Sequence, residues 1–242
     1  MQFDSKVFFD ALTSSVFREG AITAILLTAV AQLTAVAIGL VLATMRESGF
    51  RVLRGASWTY VWVFRAIPTL VQLLFVWNAL PQLFPALREE WFSPFLAAWL
   101  ALSVNEGAYM AEIVRGGLLA IDEGQKLAGR ALGMKPWSVF RRVTLPQLVR
   151  VIIPPTANEF ITMLKITSLA SAISLQELLT YTQRNISISF RFAEFYAAAA
   201  IYYLVIVSVF MVIQSWLERR FRWTSQAKTV GVVGGLTGLG GR

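Results

Sequence analysis

Apolar residues run along this chain in blocks too long for a soluble core. Gly20–Met45 carries no charge over 26 positions, Ala66–Leu87 none over 22, and Phe195–Leu217 none over 23. A membrane-crossing helix takes about 20 mostly apolar residues, so each block predicts a transmembrane span. Two further apolar stretches carry charges that cannot comfortably face lipid: Glu106 and Glu112 within Trp91–Ile113, Glu159 and Lys165 within Val151–Leu175. The second span starts near Ser57, which puts Arg65 inside it. The reading is an all-α membrane protein with a five-span domain over 20–216, the spans near 20–45, 57–80, 93–113, 151–173 and 195–216. The first span, being uncharged, is expected to face lipid or pack at the periphery. Residues 1–19 place Phe3, Val7, Phe8, Ala11, Leu12, Ser15 and Val16 at helical spacing, as in an amphipathic helix on the outer interface, the alternative being a frayed polar leader. Residues 217–242 read as a cytoplasmic tail, partly disordered, because its end is glycine-rich.

Composition agrees. The chain is 56% hydrophobic and only 15% charged, far from the averages of a soluble domain. The excess of Lys and Arg, 22 against 14 acidic residues, bears on orientation rather than on nucleic acid. Fifteen of the 22 fall in the segments 46–56, 114–150 and 217–242, and five on the other side of the spans. Positive residues concentrate on the cytoplasmic side, so the N-terminus is expected outside and the C-terminus inside. The sequence contains neither cysteine nor histidine. That removes thiolate nucleophiles, imidazole bases and most zinc chemistry. Asp occurs only at 4, 10 and 122, outside the spans, so an intramembrane aspartyl protease has no pair. No Gly-rich phosphate loop ending in Lys-Ser/Thr is present, so this chain is not expected to bind ATP. A self-contained secondary transporter is disfavoured by the absence of a visible internal repeat.

The largest loop, within 114–150, has its own punctuation. Asp122 and Glu123 suit the first turn of a helix. Lys126–Leu132 is a run of good helix formers, Gly133 is placed as a C-terminal cap, and Pro136 opens a second short helix. Trp137–Val143 continues that helix, and Pro146 closes the segment. The expected product is a helix–Gly–helix elbow exposing Leu127, Ala128, Met134 and Trp137, either as a docking knob or as a loop lying on the membrane surface.

This segment resembles the cytoplasmic "EAA" loop of ATP-binding-cassette importer permeases. Leu127-Ala128-Gly129, Gly133, Val143 and Leu145-Pro146 stand at that motif's spacing, with Leu127 in place of its usual Glu and Gly129 in place of Ala. Phe64-Arg65-Ala66-Ile67-Pro68-Thr69-Leu70-Val71-Gln72-Leu73, Asn105-Glu106-Gly107-Ala108-Tyr109 and Asn158-Glu159 through Ser168-Leu169 resemble segments of the polar amino acid uptake subfamily, the histidine-, glutamine- and glutamate-type permeases. Ile166 stands where that subfamily commonly has Asp. The resemblance implies a type I importer transmembrane domain in the bacterial inner membrane. It implies coupling to the ATPase over 118–146, through Lys126, Leu127, Ala128, Gly129, Arg130, Gly133, Met134, Leu145 and Pro146. It further implies a second permease subunit, identical or homologous, two cytoplasmic ATPase subunits that bind ATP and Mg, and an extracytoplasmic amino-acid-binding protein. The chain itself would be non-catalytic and carry no cofactor or metal.

The polar residues inside the spans are the candidate substrate path. Arg65, Thr69 and Gln72 fall at i, i+4 and i+7 of one helix. Arg65 is suited either to a substrate carboxylate or to pairing with Glu106 or backbone carbonyls. Glu106 and Tyr109 share a face, where Glu106 accepts an amino group, neutralises Arg65 or ends a helix. Asn158, Thr162 and Lys165 share another face, with Glu159 beside it and Ser168 following. Lys165 alternatively snorkels outward. Pro154-Pro155 is expected to break this helix and free carbonyls. Taken as one site, Glu106, Glu159, Arg65 and Lys165 sum to zero charge, which predicts a zwitterionic substrate with a neutral or acidic side chain.

Overall fold

The computed structural model describes residues 3–221, and among these every regular element is helical. The glycine-rich end of the tail lies outside the described residues. Helix α1 (Ser5–Thr13) is capped by Asp4, whose carboxylate accepts from the Lys6 and Val7 amides. Ser14, extended at φ −60° and ψ 135°, ends it and caps α2 (Ser15–Arg46). The expected boundary near 19 therefore sits at Ser14. Nor does α1 merely float on an interface. The Asp4 amide donates to Glu194 Oε1 (2.9 Å) and Tyr202 Oη donates to Leu12 O (2.8 Å), while Ala11 packs with Phe17 and Phe195.

Helix α2 corrects the sequence reading in part: Ile22, Leu26, Leu33 and Val41 leave one face exposed, but the opposite face is packed into the bundle. Many of its buried positions are small, Ala24, Ala31, Ala35, Gly39 and Ala43 among them, beside Leu27 and Leu42. Along this face Leu27 and Ala31 cluster with Ala97 and Ala101, Leu42 with Ala108 and Ala111, and Ala43 with Val114, these partners all belonging to α6 (Pro94–Leu119), itself rich in buried alanine. A Cβ on Gly39 would stand 2.8 Å from the Met110 carbonyl carbon, so the backbones meet at a distance only glycine permits. Small residues at helix interfaces are how membrane helices gain close packing where no hydrophobic drive exists between them. The more peripheral helix is the last, α11 (Phe192–Arg220), whose Leu204, Val205, Val209, Val212 and Trp216 are all exposed.

Between them the second span is broken. Helix α3 (Arg51–Ala66) stops at Ile67. Proline disfavours a helical conformation in the residue before it, and Ile67 is extended at ψ 130° ahead of Pro68. The chain resumes as α4 (Thr69–Leu74), a π-turn (Phe75–Ala79) and α5 (Leu80–Leu83), bent 101° from α3. A 3₁₀ turn (Pro85–Arg88) leads to α6. After α6 come α7 (Glu123–Ala131), α8 (Pro136–Val139), a second π-turn (Phe140–Thr144) and α9 (Leu145–Ile166). Both π-turns hold the residue four before a proline, Trp77 before Pro81 and Arg142 before Pro146. A proline ring crowds that carbonyl, and the wider π spacing relieves it. Pro154-Pro155, by contrast, lies within an uninterrupted α9, so the break expected there is absent. A 3₁₀ turn (Thr167–Ile173) then leads to α10 (Leu178–Ser189), capped by the fully buried Glu177.

Helices α2 and α11 are each long and apolar enough to cross a membrane, and the bent pair makes a third candidate span. Helices α6 and α9 are 26 and 22 residues long but carry charges. The ends sort consistently. Ala43, Val114, Ile121, Leu148 and Ile152 cluster at the end where α2 and α6 finish and α9 begins. Phe17, Leu178, Ile186 and Phe195 cluster at the other.

Candidate functional site

At the first of these ends the elbow forms from local chemistry. Asp122 accepts from the Gly124 amide (2.7 Å) to start α7. Gly133, at φ +76°, reverses the chain, its amide donating to Arg130 O and that of Met134 to Gly129 O. Positive φ is open to glycine without steric cost, so Gly133 is where the hinge is cut. Gly129 is buried against Val139, where a methyl group would come within 3.2 Å, so glycine in place of the motif's alanine draws the two halves together. The outer surface then presents Leu127 (59% exposed), Leu132 (84%) and Trp137 (68%), with Ala128 and Arg130 beside them. Leu132 was not among the residues expected to be exposed, and Met134, which was, is half-buried under Gly129. Lys126 pairs with Glu123 at 2.8 Å, and this hydrogen bond holds the Glu123 carboxyl below the usual carboxylate range. Gln147 Nε2 donates to Gln125 Oε1 (2.6 Å), tying α7 to α9. Leu145, half-buried, and Pro146, exposed, start α9 beyond the π-turn.

The second cluster surrounds the break in the second span, level with Asn105 near the middle of α6. Ending α3 at Ala66 orphans its last carbonyls. Gln72 Nε2 donates to Phe64 O (3.0 Å) and to Ile67 O (2.8 Å), and Asn105 Nδ2 donates to Phe64 O (3.0 Å). Thr69 Oγ1 donates to Asn105 Oδ1 at 3.4 Å. Arg65, Thr69 and Gln72 therefore do not share one helix face as expected, because the break lies between them. Gln72 is buried and caps the break, while Arg65 is exposed with its guanidinium 5.2 Å from the centroid of the Tyr109 ring. Asn105, missed as a site residue, belongs to this cluster. The legible signal was Pro68, whose effect on Ile67 forbids a continuous helix.

The charges inside the spans do not gather into one neutral site. Glu106 is 4% exposed and its Oε1 has no hydrogen-bond partner. The charged group close enough to act on it is the Glu159 carboxylate of α9. Among the described residues neither carboxylate has an ion-pair partner within 4.0 Å, and Arg65 and Lys165 pair with none. Tyr109 lies with Arg65. On α9, Asn158 and Lys165 are exposed, Thr162 Oγ1 donates to Asn158 O and Ser168 Oγ to Lys165 O.

Residues 35–223 match the family described as binding-protein-dependent transport system inner membrane component. The arginine transport system permease protein ArgU of Corynebacterium glutamicum is 44% identical over 214 residues, covering 83% of this chain and 66% of that protein. The glutamine transport system permease protein GlnP of Escherichia coli is 36% identical over 222 residues, covering 92% of this chain and 99% of that protein. Among solved structures, the crystal structure of an amino acid ABC transporter with histidines superposes with a TM-score of 0.79 at 35% identity, covering 91% of this chain and 100% of its counterpart. The inward-facing MetNI methionine ABC transporter shares the fold at a TM-score of 0.71 and 19% identity, covering 86% of this chain and 97% of its counterpart.

Proposed function

The chain belongs to the family of binding-protein-dependent transport inner membrane components, and we propose that it is the permease subunit of an ATP-driven importer of amino acids. The observation that carries this reading is the elbow: an apolar knob of Leu127, Leu132 and Trp137, with Ala128 between them, on a hinge fixed by Gly133. A surface of that kind at the Arg-rich end fits the groove of a soluble ATPase. The names of the relatives support an amino acid as cargo. The chain crosses the membrane five times, through α2, the bent α3–α5 pair, α6, α9 and α11, with the N-terminus outside. The Lys and Arg distribution supports that orientation. A pair of permease chains, identical or homologous, encloses the path, two ATPase subunits dock on the elbows, and a binding protein delivers substrate from outside. ATP and Mg bind the ATPase, and this chain supplies no catalytic group, cofactor or metal.

In this mechanism ATP closes the ATPase pair, α7 moves with it, and the short α8 and the π-turn pass the motion into α9. The path opens towards the binding protein, and hydrolysis returns it inward. Inside, Glu106 and Glu159 favour a cationic group of the substrate, because burying a carboxylate without a positive partner is costly. The zero charge sum expected from sequence treated four separate residues as one site. The test is uptake by the complex reconstituted in vesicles with its ATPase and binding protein. ATP-dependent uptake is expected, competed best by cationic amino acids, and Glu106→Gln should weaken that preference about tenfold, the effect of losing a charge-assisted contact of ~1.4 kcal/mol. Uptake by this chain alone, driven by a sodium or proton gradient, would refute the reading.

A further inference from the structure

Beside the α3–α6 contact lies an open cleft of about 500 Å³ that the transport reading does not use. Its polar wall is made of Arg46, Arg65, Arg115 and Glu112, and its apolar wall includes Trp58 and Trp62. Glu112 is taken by Arg115 at 2.8 Å, which leaves the cleft with two uncompensated guanidinium groups. Arg46 Nη1 is buried and has no hydrogen-bond partner. A buried donor left unpaired is costly, so an acceptor is missing at this point. The indole rings of Trp58 and Trp62 are both exposed and stack at 5.9 Å with 6° between their planes.

The same face of α3 continues the pattern. Arg51, Arg54, Trp58, Trp62 and Arg65 recur at intervals of three and four residues, so they line one side of the helix. All five are exposed. The cleft opens near the end of the bundle where α2 and α6 finish, the end that carries the elbow. Arginine with tryptophan on an exposed helix face is the composition of a membrane interface: indole rings settle at the headgroup level, and basic side chains gather against the anionic cytoplasmic leaflet.

We propose that this cleft binds the phosphodiester headgroup of an anionic phospholipid from the inner leaflet, with Arg46 on the phosphate, Arg65 reaching toward it from its deeper place before the break, and the Trp58–Trp62 stack against the start of an acyl chain. Guanidinium groups match phosphate oxygens with paired hydrogen bonds, and two of them give the site its preference over a zwitterionic lipid. The proposal rests on the orientation given above, in which the elbow end is cytoplasmic.

The test uses the assembled complex at rest, without ATP, so that its outcome is independent of transport. The complex is exchanged into vesicles containing either phosphatidylcholine alone or phosphatidylcholine with phosphatidylglycerol. Lipid retained after extraction is then counted by native mass spectrometry. Phosphatidylglycerol should be retained in preference, about fivefold less by Arg46→Gln, the effect expected for one arginine near a membrane surface, while Arg46→Lys keeps most of it. Equal retention of both lipids by the wild type would overturn the proposal. Displacement of phosphatidylglycerol by inorganic phosphate would assign the cleft to a free anion instead of a lipid. If Arg46→Gln impairs amino acid uptake equally with and without phosphatidylglycerol, the cleft belongs to the substrate path and the lipid assignment fails.

Discussion

The elbow at Gly133 and the break at Ile67–Pro68 are both interruptions of a helix, but they are secured by different chemistry. Every hydrogen bond that closes the elbow's turn joins residues within five positions of each other: Asp122 to Gly124, Gly133 to Arg130, Met134 to Gly129. The break is closed by side chains that reach back from α4 and across from α6, Gln72 and Asn105. The surroundings explain the contrast. Beside water, an interrupted helix needs only a residue that tolerates the turn, because solvent satisfies the remaining groups. Inside a membrane no solvent does so, and every freed carbonyl must find a donor within the protein. A turn at the surface therefore needs only local contacts to close it, whereas a break within the span is held by side chains from other elements.

The largest effect should come from locking the surface hinge. Gly133→Pro fixes φ near −65° at a residue that needs +76°. It should leave the protein in the membrane and abolish ATP-coupled uptake. Ala128→Arg should give the same result by obstructing the knob without touching the turn. Normal uptake and normal transport-stimulated ATPase activity in both variants would show that the elbow does not transmit the stroke.

A middle-sized effect is expected at the internal break, and it should appear as stability. Gln72→Leu removes the donor to Ile67 O and one of two donors to Phe64 O, and Asn105→Leu removes the other donor to Phe64 O and the acceptor of the Thr69 hydroxyl. Such losses cost about 1–3 kcal/mol, so both variants should lower the melting temperature of the purified complex. Phe64 O accepts from both side chains, so either single variant leaves it one donor. The double variant should then lose more than the sum of the singles. Strict additivity would mean that the two amides act separately and that the break is held by something else.

The same contrast decides what the sequence could reveal. Asp122, Gly133 and Pro136 announce the elbow because each acts on its immediate neighbours, and all three do in the fold what their positions predict. Helical periodicity ran Arg65, Thr69 and Gln72 through the break because a wheel assumes an unbroken helix. Pro68 was the warning, but nothing local says that Gln72 and Asn105 will cap the ends. Pro154-Pro155 misled in the opposite direction, carrying the same warning inside a helix that continues. The packed face of α2 is written in its stripe of Ala24, Ala31, Ala35, Gly39 and Ala43, which hydropathy alone does not weigh. Nor does a charge sum know that Arg65 lies on Tyr109 while Glu106 is buried with Glu159 nearby.

The smallest effect should come from the one ion pair on the elbow. Glu123 and Lys126 meet at 2.8 Å, but the Glu123 side chain is largely exposed, and exposed pairs add little because water and salt screen them. Glu123→Gln should leave uptake unchanged, since the helix start is held by Asp122 and the hinge by Gly133. The pH dependence follows from the direction of the shift. The folded-state pKa of Glu123 is lowered, first by the Lys126 hydrogen bond and then by its charge. The stabilisation it gives is therefore present above the unfolded carboxylate value, about 4.3, and is lost only as pH falls through the lower folded value. Across the neutral range, wild type and Glu123→Gln should show parallel activity profiles. A divergence of the two curves between about pH 6 and pH 8, well above any carboxylate lowered in this way, would mean that the surface hinge carries an electrostatic control that its local chemistry does not provide.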